Sequence, residues 1–117
     1  MPYIRVETNV VIENPEPLKR ALGQAISLLP GKSEAITMVL LNDGQNMSFS
    51  GDSSPCAMVE TQVNPSSDLS THSEYAAQLQ EILSHHTGIP KERIFLTLSK
   101  VEFWHGGKKK PTPPTQA

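Results

Sequence analysis

The stretch Ala35-Ile36-Thr37-Met38-Val39-Leu40-Leu41 decides which fold to expect of this chain. It is apolar at nearly every position, which is typical of a β-strand that is buried on both faces. Turn-forming residues follow it at once in Asn42-Asp43-Gly44. We therefore predict that this strand is central in a sheet whose two faces are both covered.

The residues before this stretch predict a strand followed by a helix. Tyr3-Ile4-Arg5-Val6-Glu7-Thr8 alternates around β-branched residues, as a strand does when one face is covered. Asn14 and Pro15 are typical of a helix start, as the N-cap and the first-turn residue, and Pro30-Gly31 is typical of a helix end. The apolar face of this helix consists of Leu18, Leu22, Ala25, Ile26 and Leu29.

The residues after this stretch repeat that order. Met47-Ser48-Phe49 predicts a short return strand, and residues 57–63 predict a longer one. Thr71 and Glu74 have the spacing of a capping box at the start of a second helix, which Gly88 ends. The apolar face of the second helix consists of Tyr75, Leu79, Ile82 and Leu83. Residues 93–98 then predict the last main strand.

The predicted fold class is α+β, with two βαβ units forming a four-stranded mixed sheet and two helices on one face. Helices on one face leave the other face of the sheet uncovered. Because the stretch from Ile36 to Leu41 is apolar on both sides, burial of that second face calls for partner subunits.

Length, charge and cysteine content exclude several classes of protein. The 117 residues fit one domain, which we assign to residues 1–105, with a Lys/Pro-rich and disordered tail over residues 106–117. The net charge of -2, with three of the ten basic residues together at 108–110, argues against nucleic-acid binding. The single cysteine, Cys56, rules out an intramolecular disulfide and a cysteine-based metal site.

The pattern of apolar residues gives no support for a membrane protein. No apolar run approaches the roughly 20 residues that span a bilayer, and the first five residues lack the apolar centre of a signal peptide. We expect a cytoplasmic protein that does not bind membranes.

Several short motifs together carry a family resemblance. They are Met1-Pro2, Thr8-Asn9-Val10, Gly31-Lys32, Met47-Ser48-Phe49, Gly51, Ser53, Pro55-Cys56-Ala57 and Arg93-Ile94. In order and spacing, over about residues 1–100, they resemble the macrophage migration inhibitory factor and D-dopachrome tautomerase family of the tautomerase superfamily. The resemblance implies a homotrimer with active sites between neighbouring subunits, and a cofactor-independent isomerase.

The resemblance also implies which residues act. Removal of Met1 would expose Pro2 as a secondary amine, the general base in keto–enol tautomerisation of phenylpyruvate-like or dopachrome-like compounds, whereas a retained Met1 would turn that nitrogen into an amide. An α-amino group titrates near 7.7–8.0, and an apolar pocket beside a cation lowers that pKa. Lys32 would attract the carboxylate of an α-keto or enol substrate. Taken alone, Pro2 would indicate only Met1 removal, and Lys32 a solvated surface residue.

The sequence departs from the family pattern in the loop beside the expected site. Where the family has Ile-Gly-x-x-Gly, this chain has Asn64-Pro65-Ser66-Ser67-Asp68, and Asn64 would face the substrate through its backbone. Phe95 and Thr97 match positions that the neighbouring subunit presents to the substrate in some members, and ordinary strand packing is the alternative.

Three functional hypotheses follow from the resemblance. The first is a tautomerase with Pro2 as base and Lys32, Asn64, Phe95 and Thr97 as substrate-binding residues. The second is a cytokine-like ligand of a receptor protein, secreted without a signal peptide. The third is a family member that has lost catalysis and acts as a binding module.

Overall fold

Alternating burial along the strands gives the sheet one covered face and one open face. In the computed structural model, which describes residues 1–106, strand β1 (Tyr3–Thr8) buries every second side chain. Strand β3 (Ala57–Val63) alternates in the same way. Because successive side chains of a strand point to opposite faces, each strand offers one apolar face to the helices. The predicted tail over residues 106–117 lies, apart from Gly106, outside the described residues.

The sheet has four strands in the order β2-β1-β3-β4, where β2 is Met38–Asn42 and β4 is Ile94–Lys100. β1 pairs with β2 and β3 with β4 in parallel, whereas β1 and β3 are antiparallel. Each parallel pair is joined by one helix, as a βαβ unit requires. The predicted α+β fold, with two βαβ units in one mixed sheet, is confirmed.

Two helices cover the apolar face of this sheet. Helix α1 (Pro15–Ala25) begins with proline as predicted and continues into a 3₁₀ turn over Ile26–Leu28. Helix α2 (His72–Thr87) ends at Gly88, whose φ of 78° is easily adopted by glycine. All but one of the predicted apolar positions of the two helices are buried, and the exception, Ile82, packs against the core.

Neither predicted helix cap forms its side-chain hydrogen bond, although Asn14 does occupy the N-cap position of α1. Thr71 precedes α2 as expected, but no side-chain hydrogen bond caps the helix, so the capping box with Glu74 does not form. Instead, the Thr71 hydroxyl donates to the Leu28 carbonyl at 2.6 Å. The threonine therefore ties the start of α2 to the end of the α1 segment.

The prediction that residues 35–41 form a central strand is also wrong. Ala35 and Ile36 belong to a 3₁₀ turn (Glu34–Ile36), and β2 lies at an edge of the sheet, where Met38 and Leu40 are exposed. The physical reason is that β1 and β3 pair with each other. Each βαβ unit must therefore add its second strand on the outside. The apolar run has two faces because Val39 packs on the core while Met38 and Leu40 point to the open face.

The predicted return strand at Met47-Ser48-Phe49 is a loop. The structure gives this segment an isolated bridge between Phe49 and Asp52. Two side chains from other parts of the chain, Asn9 and Arg93, stabilise this loop by hydrogen bonds to its backbone. Asn9 Nδ2 donates to the carbonyls of Met47, Ser53 and Ser54, and Asn9 Oδ1 accepts from the Cys56 N–H at 3.0 Å. Arg93 donates to the carbonyls of Phe49, Asp52, Ser54 and Pro55.

The open face of the sheet combines apolar and charged side chains. Met38, Leu40 and Phe95 are 53%, 42% and 44% exposed. Between them, Arg5 pairs with Glu60 at 3.1 Å.

None of the helices within residues 1–106 is long and apolar enough to cross a membrane.

We predict that Asn9→Ala destabilises the protein by about 2 kcal/mol, because several backbone groups of the 47–56 loop lose their partner together. Urea unfolding at fixed protein concentration measures this change. Asn46→Ala is the matched control, since Asn46 lies exposed in the same loop region and its effect should stay within about 0.5 kcal/mol. Equal midpoints for the two variants would contradict the role of Asn9.

Candidate functional site

Pro2 is buried directly in front of β1. Its carbonyl oxygen accepts a hydrogen bond from the Met38 N–H at 3.0 Å, which extends the β1–β2 pairing by one residue. The structure includes Met1, so the nitrogen of Pro2 is part of a peptide bond and the free amine belongs to Met1. The Met1 amine marks the region in which a Pro2 amine would lie after Met1 removal.

Lys32 is a buried cation at the same end of the sheet. Gly31, with φ of 77°, turns the chain after the α1 segment, and the Lys32 N–H donates to the Leu29 carbonyl at 3.2 Å. This turn directs the side chain inward, so that Lys32 is only 7% exposed. Its ammonium donates to Asn64 Oδ1 at 3.2 Å. Lys32 is therefore not the solvated lysine that an isolated Gly-Lys pair would suggest.

Asn64 follows β3 directly and begins a tight turn. The Ser67 N–H donates to the Asn64 carbonyl at 3.2 Å, and Pro65 occupies the second position, where its fixed φ favours the turn. The Ser67 hydroxyl donates to Asn64 Oδ1, the same oxygen that accepts from Lys32. Ser67 was not among the predicted site residues, although the Asn-Pro-Ser-Ser sequence is itself a turn signal.

Strand register brings Pro2, Lys32 and Asn64 together. In the antiparallel pair, Tyr3 lies opposite Gln62, so the start of β1 and the end of β3 share one end of the sheet. Pro2 precedes the one strand and Asn64 follows the other. Lys32 lies in the segment between α1 and β2, from which its ammonium donates to Asn64 and acts electrostatically on the N-terminal amine.

Burial and charge lower two pKa values at this site. The pKa of the N-terminal amine lies below its ordinary value, mainly because burial penalises the charged form and also because Lys32 is positive. Burial also lowers the pKa of Lys32. An amine with a lowered pKa is more often unprotonated at neutral pH, and can then accept a proton.

Phe95 and Thr97 do not join this group within one chain. They are exposed on the open face of β4, opposite Met58 and Glu60. Along β4, Phe95 is five residues, or about 16 Å, from Lys100. Lys100 is the residue that pairs with Val63, the neighbour of Asn64. The ring of Phe95 instead contacts Phe49, with centroids 4.7 Å apart.

A separate groove of about 510 Å³ lies at the other end of β1. Val10 to Asn14, Pro17 and the end of α2 line it, including the exposed pair His85 and His86. Within the described part of the chain, no group of three or more histidine, cysteine, aspartate or glutamate residues could hold a metal ion. We place the candidate site at Pro2 and Lys32, because a buried cation lies there at the same end of the sheet as the buried second residue.

Known proteins resemble this chain over nearly its whole length. The family model described as macrophage migration inhibitory factor matches residues 1–112. The chain is 26% identical over 110 residues to D-dopachrome decarboxylase-B of Xenopus laevis, covering 92% of this chain and 93% of that protein. It is 28% identical over 104 residues to the macrophage migration inhibitory factor homolog of Brugia malayi, covering 87% and 90%.

A solved structure extends this similarity to three dimensions. The structure of a macrophage migration inhibitory factor homologue from Prochlorococcus marinus superposes with a TM-score of 0.81. The two sequences are 26% identical, and the match covers 93% of this chain and 97% of the other.

We predict that Lys32→Gln raises the pKa of the N-terminal amine, because removing a nearby positive charge makes protonation of the amine less costly. An NMR titration of the N-terminal amine measures this pKa. Lys19→Gln is the matched control, since the Lys19 ammonium pairs with Glu16 at 2.7 Å on α1. An amine pKa that is the same in wild type and Lys32→Gln would refute the coupling.

Proposed function

This chain belongs to the macrophage migration inhibitory factor family, and from that premise we propose that it is a keto–enol tautomerase whose general base is the Pro2 amine. The observation that carries the proposal is that buried Pro2 lies at the same end of the sheet as the buried Lys32. At this end, partial burial and the charge of Lys32 lower the pKa of the Met1 amine. A small residue such as Pro2 after the initiator methionine favours removal of Met1. The resulting secondary amine would then be the chain terminus.

The chemistry needs one base and one carboxylate-binding group. The unprotonated Pro2 nitrogen takes a proton from the carbon next to the ketone, and the C–H electron pair forms the C=C bond of the enol. The carbonyl oxygen takes up a proton from water, and the protonated Pro2 amine gives its proton to the resulting hydroxide, so the substrate is isomerised without net gain or loss of atoms. A base poised near the working pH contributes about 10²–10⁴-fold to such a step.

Lys32 supports a substrate that carries a carboxylate. Its ammonium is buried, so an anion that approaches it meets a charge that water screens only weakly. The name of the relatives called D-dopachrome decarboxylase also implies a carboxylate-bearing substrate. We propose α-keto acids of the phenylpyruvate type, or dopachrome-like compounds, as substrates.

A homotrimer would complete the site. Phe95 and Thr97 lie away from Lys32 in their own chain, on the open face of β4. The open face also exposes Met38 and Leu40 at the edge strand β2, an apolar surface that a neighbouring subunit would bury. We propose that the neighbour's β4 supplies Phe95 and Thr97 to the substrate held at Pro2.

Pro2→Gly tests the role of the base. We expect its turnover of phenylpyruvate to fall by about 10²-fold or more, because the substitution replaces the secondary amine while glycine still permits Met1 removal. A phenylpyruvate tautomerase assay measures the rate, and intact mass confirms that both proteins begin at residue 2. Unchanged turnover in Pro2→Gly would exclude this nitrogen as the base.

Leu40→Lys tests the subunit arrangement. Light scattering should give wild type about three times the chain mass of 12.8 kDa, whereas Leu40→Lys should be a folded monomer without tautomerase activity. Val11→Lys is the control, since Val11 is 70% exposed and lies beyond the end of β1, away from the open face. A monomeric wild type, or an active monomeric Leu40→Lys, would contradict the shared site.

A further inference from the structure

One side-chain oxygen at the candidate site accepts two hydrogen bonds. Asn64 Oδ1 accepts from the Lys32 ammonium at 3.2 Å and from the Ser67 hydroxyl. All three residues are buried, with 7%, 3% and 6% of their surface exposed for Lys32, Asn64 and Ser67. A buried contact of this kind exchanges little with water, so it can fix the position of a flexible lysine side chain.

Backbone hydrogen bonds fix the chain both before and after Asn64. The Val101 N–H donates to the Val63 carbonyl at 2.8 Å, which anchors the end of the strand. The backbone bond from Ser67 to Asn64 closes the turn, and Pro65 restricts it further. The acceptor oxygen is therefore oriented before any substrate arrives.

The acidic side chains that follow Lys32 and Asn64 in the sequence make contacts elsewhere. The acceptor for the Lys32 ammonium is the neutral amide of Asn64. The N-terminal amine approaches from the start of β1. Glu34, two residues further along the chain, instead packs its side chain against Gly23 of α1. Asp68, directly after the turn that Asn64 begins, accepts from the Ser70 N–H at 2.9 Å and interacts with Lys100.

A neutral acceptor has a consequence that a carboxylate would not have. An amide oxygen stabilises the ammonium by a charge-assisted hydrogen bond but leaves its net positive charge in place. A carboxylate at the same position would cancel that charge. The positive charge that remains on Lys32 is available to a substrate anion.

We propose that Asn64 is a positioning residue that acts through Lys32: its side-chain carbonyl holds the ammonium, in its charged form, where a substrate carboxylate binds. This role differs from a backbone contact to the substrate. It rests on the proposed function only in naming the carboxylate as the ligand of Lys32.

Two substitutions separate this role from simple support of the loop. Asn64→Ala removes the acceptor, so the pKa of Lys32 should fall further and KM for phenylpyruvate should rise about tenfold, with a much smaller change in kcat. Asn64→Asp keeps the shape of the side chain but adds a negative charge. It should also raise KM, while the pKa of Lys32 moves upward. A loop that merely loses order would not move the pKa in opposite directions.

The experiment is an NMR titration of the Lys32 side chain in the full-length protein, combined with phenylpyruvate kinetics across pH. Ser66→Ala is the matched control, because Ser66 is the exposed serine of the same turn and should change neither quantity. Ser67→Ala removes the second donor to Asn64 Oδ1 and should leave the Lys32 contact intact.

The possible results distinguish this proposal from the proposed function. Shifts of the Lys32 pKa with opposite signs in Asn64→Ala and Asn64→Asp support the positioning role, even if no keto acid is turned over. Shifts of the same sign, or an unchanged Lys32 pKa in both variants, would overturn it while leaving tautomerase activity to the assay of Pro2→Gly. Should Asn64→Ala fail to fold, Asn64→Leu, which also lacks the acceptor but has a similar volume, takes its place in the comparison with Asn64→Asp.

Discussion

The antiparallel pairing of β1 with β3 is the constraint on which the rest of the structure depends. It joins two βαβ units into one sheet and places Tyr3 opposite Gln62. Through this register, the start of the chain meets the end of β3, so that Pro2, Lys32 and Asn64 lie at one end of the sheet. The same pairing forces β2 and β4 to the edges. The site and the exposed edges therefore have a common origin.

Burial of charge gives the site its chemical character. The Lys32 ammonium is buried and the N-terminal amine of Met1 lies within its electrostatic influence, and partial loss of solvent lowers the pKa of both. Such an arrangement costs folding free energy, which the amide of Asn64 offsets in part through a charge-assisted hydrogen bond. Perturbed amines in a buried cluster are typical of functional sites rather than of ordinary cores.

The motifs that carry the family resemblance serve two separate purposes. Pro2 and Lys32 form the candidate site. Asn9 and Arg93 instead hold the loop over residues 47–56 by bonding its backbone carbonyls, and Gly51 in that loop has φ of 73°. Much of the resemblance therefore reflects the stability of one irregular loop. This loop also positions Phe49 against Phe95 on the open face.

The sequence by itself determined the two helices and their buried faces, the strands that became β1, β3 and β4, and that Pro2 and Lys32 are candidates for function. Periodicity along a segment reports which side chains share a face, and motif spacing reports a family. Only the tertiary structure decided that the apolar stretch at Met38–Asn42 is an edge strand, that residues 47–49 form a loop, and that Asn64 accepts from Lys32. Each of these depends on a partner far away in the chain, 32 positions in the case of Lys32 and Asn64. Local pattern cannot specify such a partner, because it is chosen by strand register and by the packing of the whole sheet.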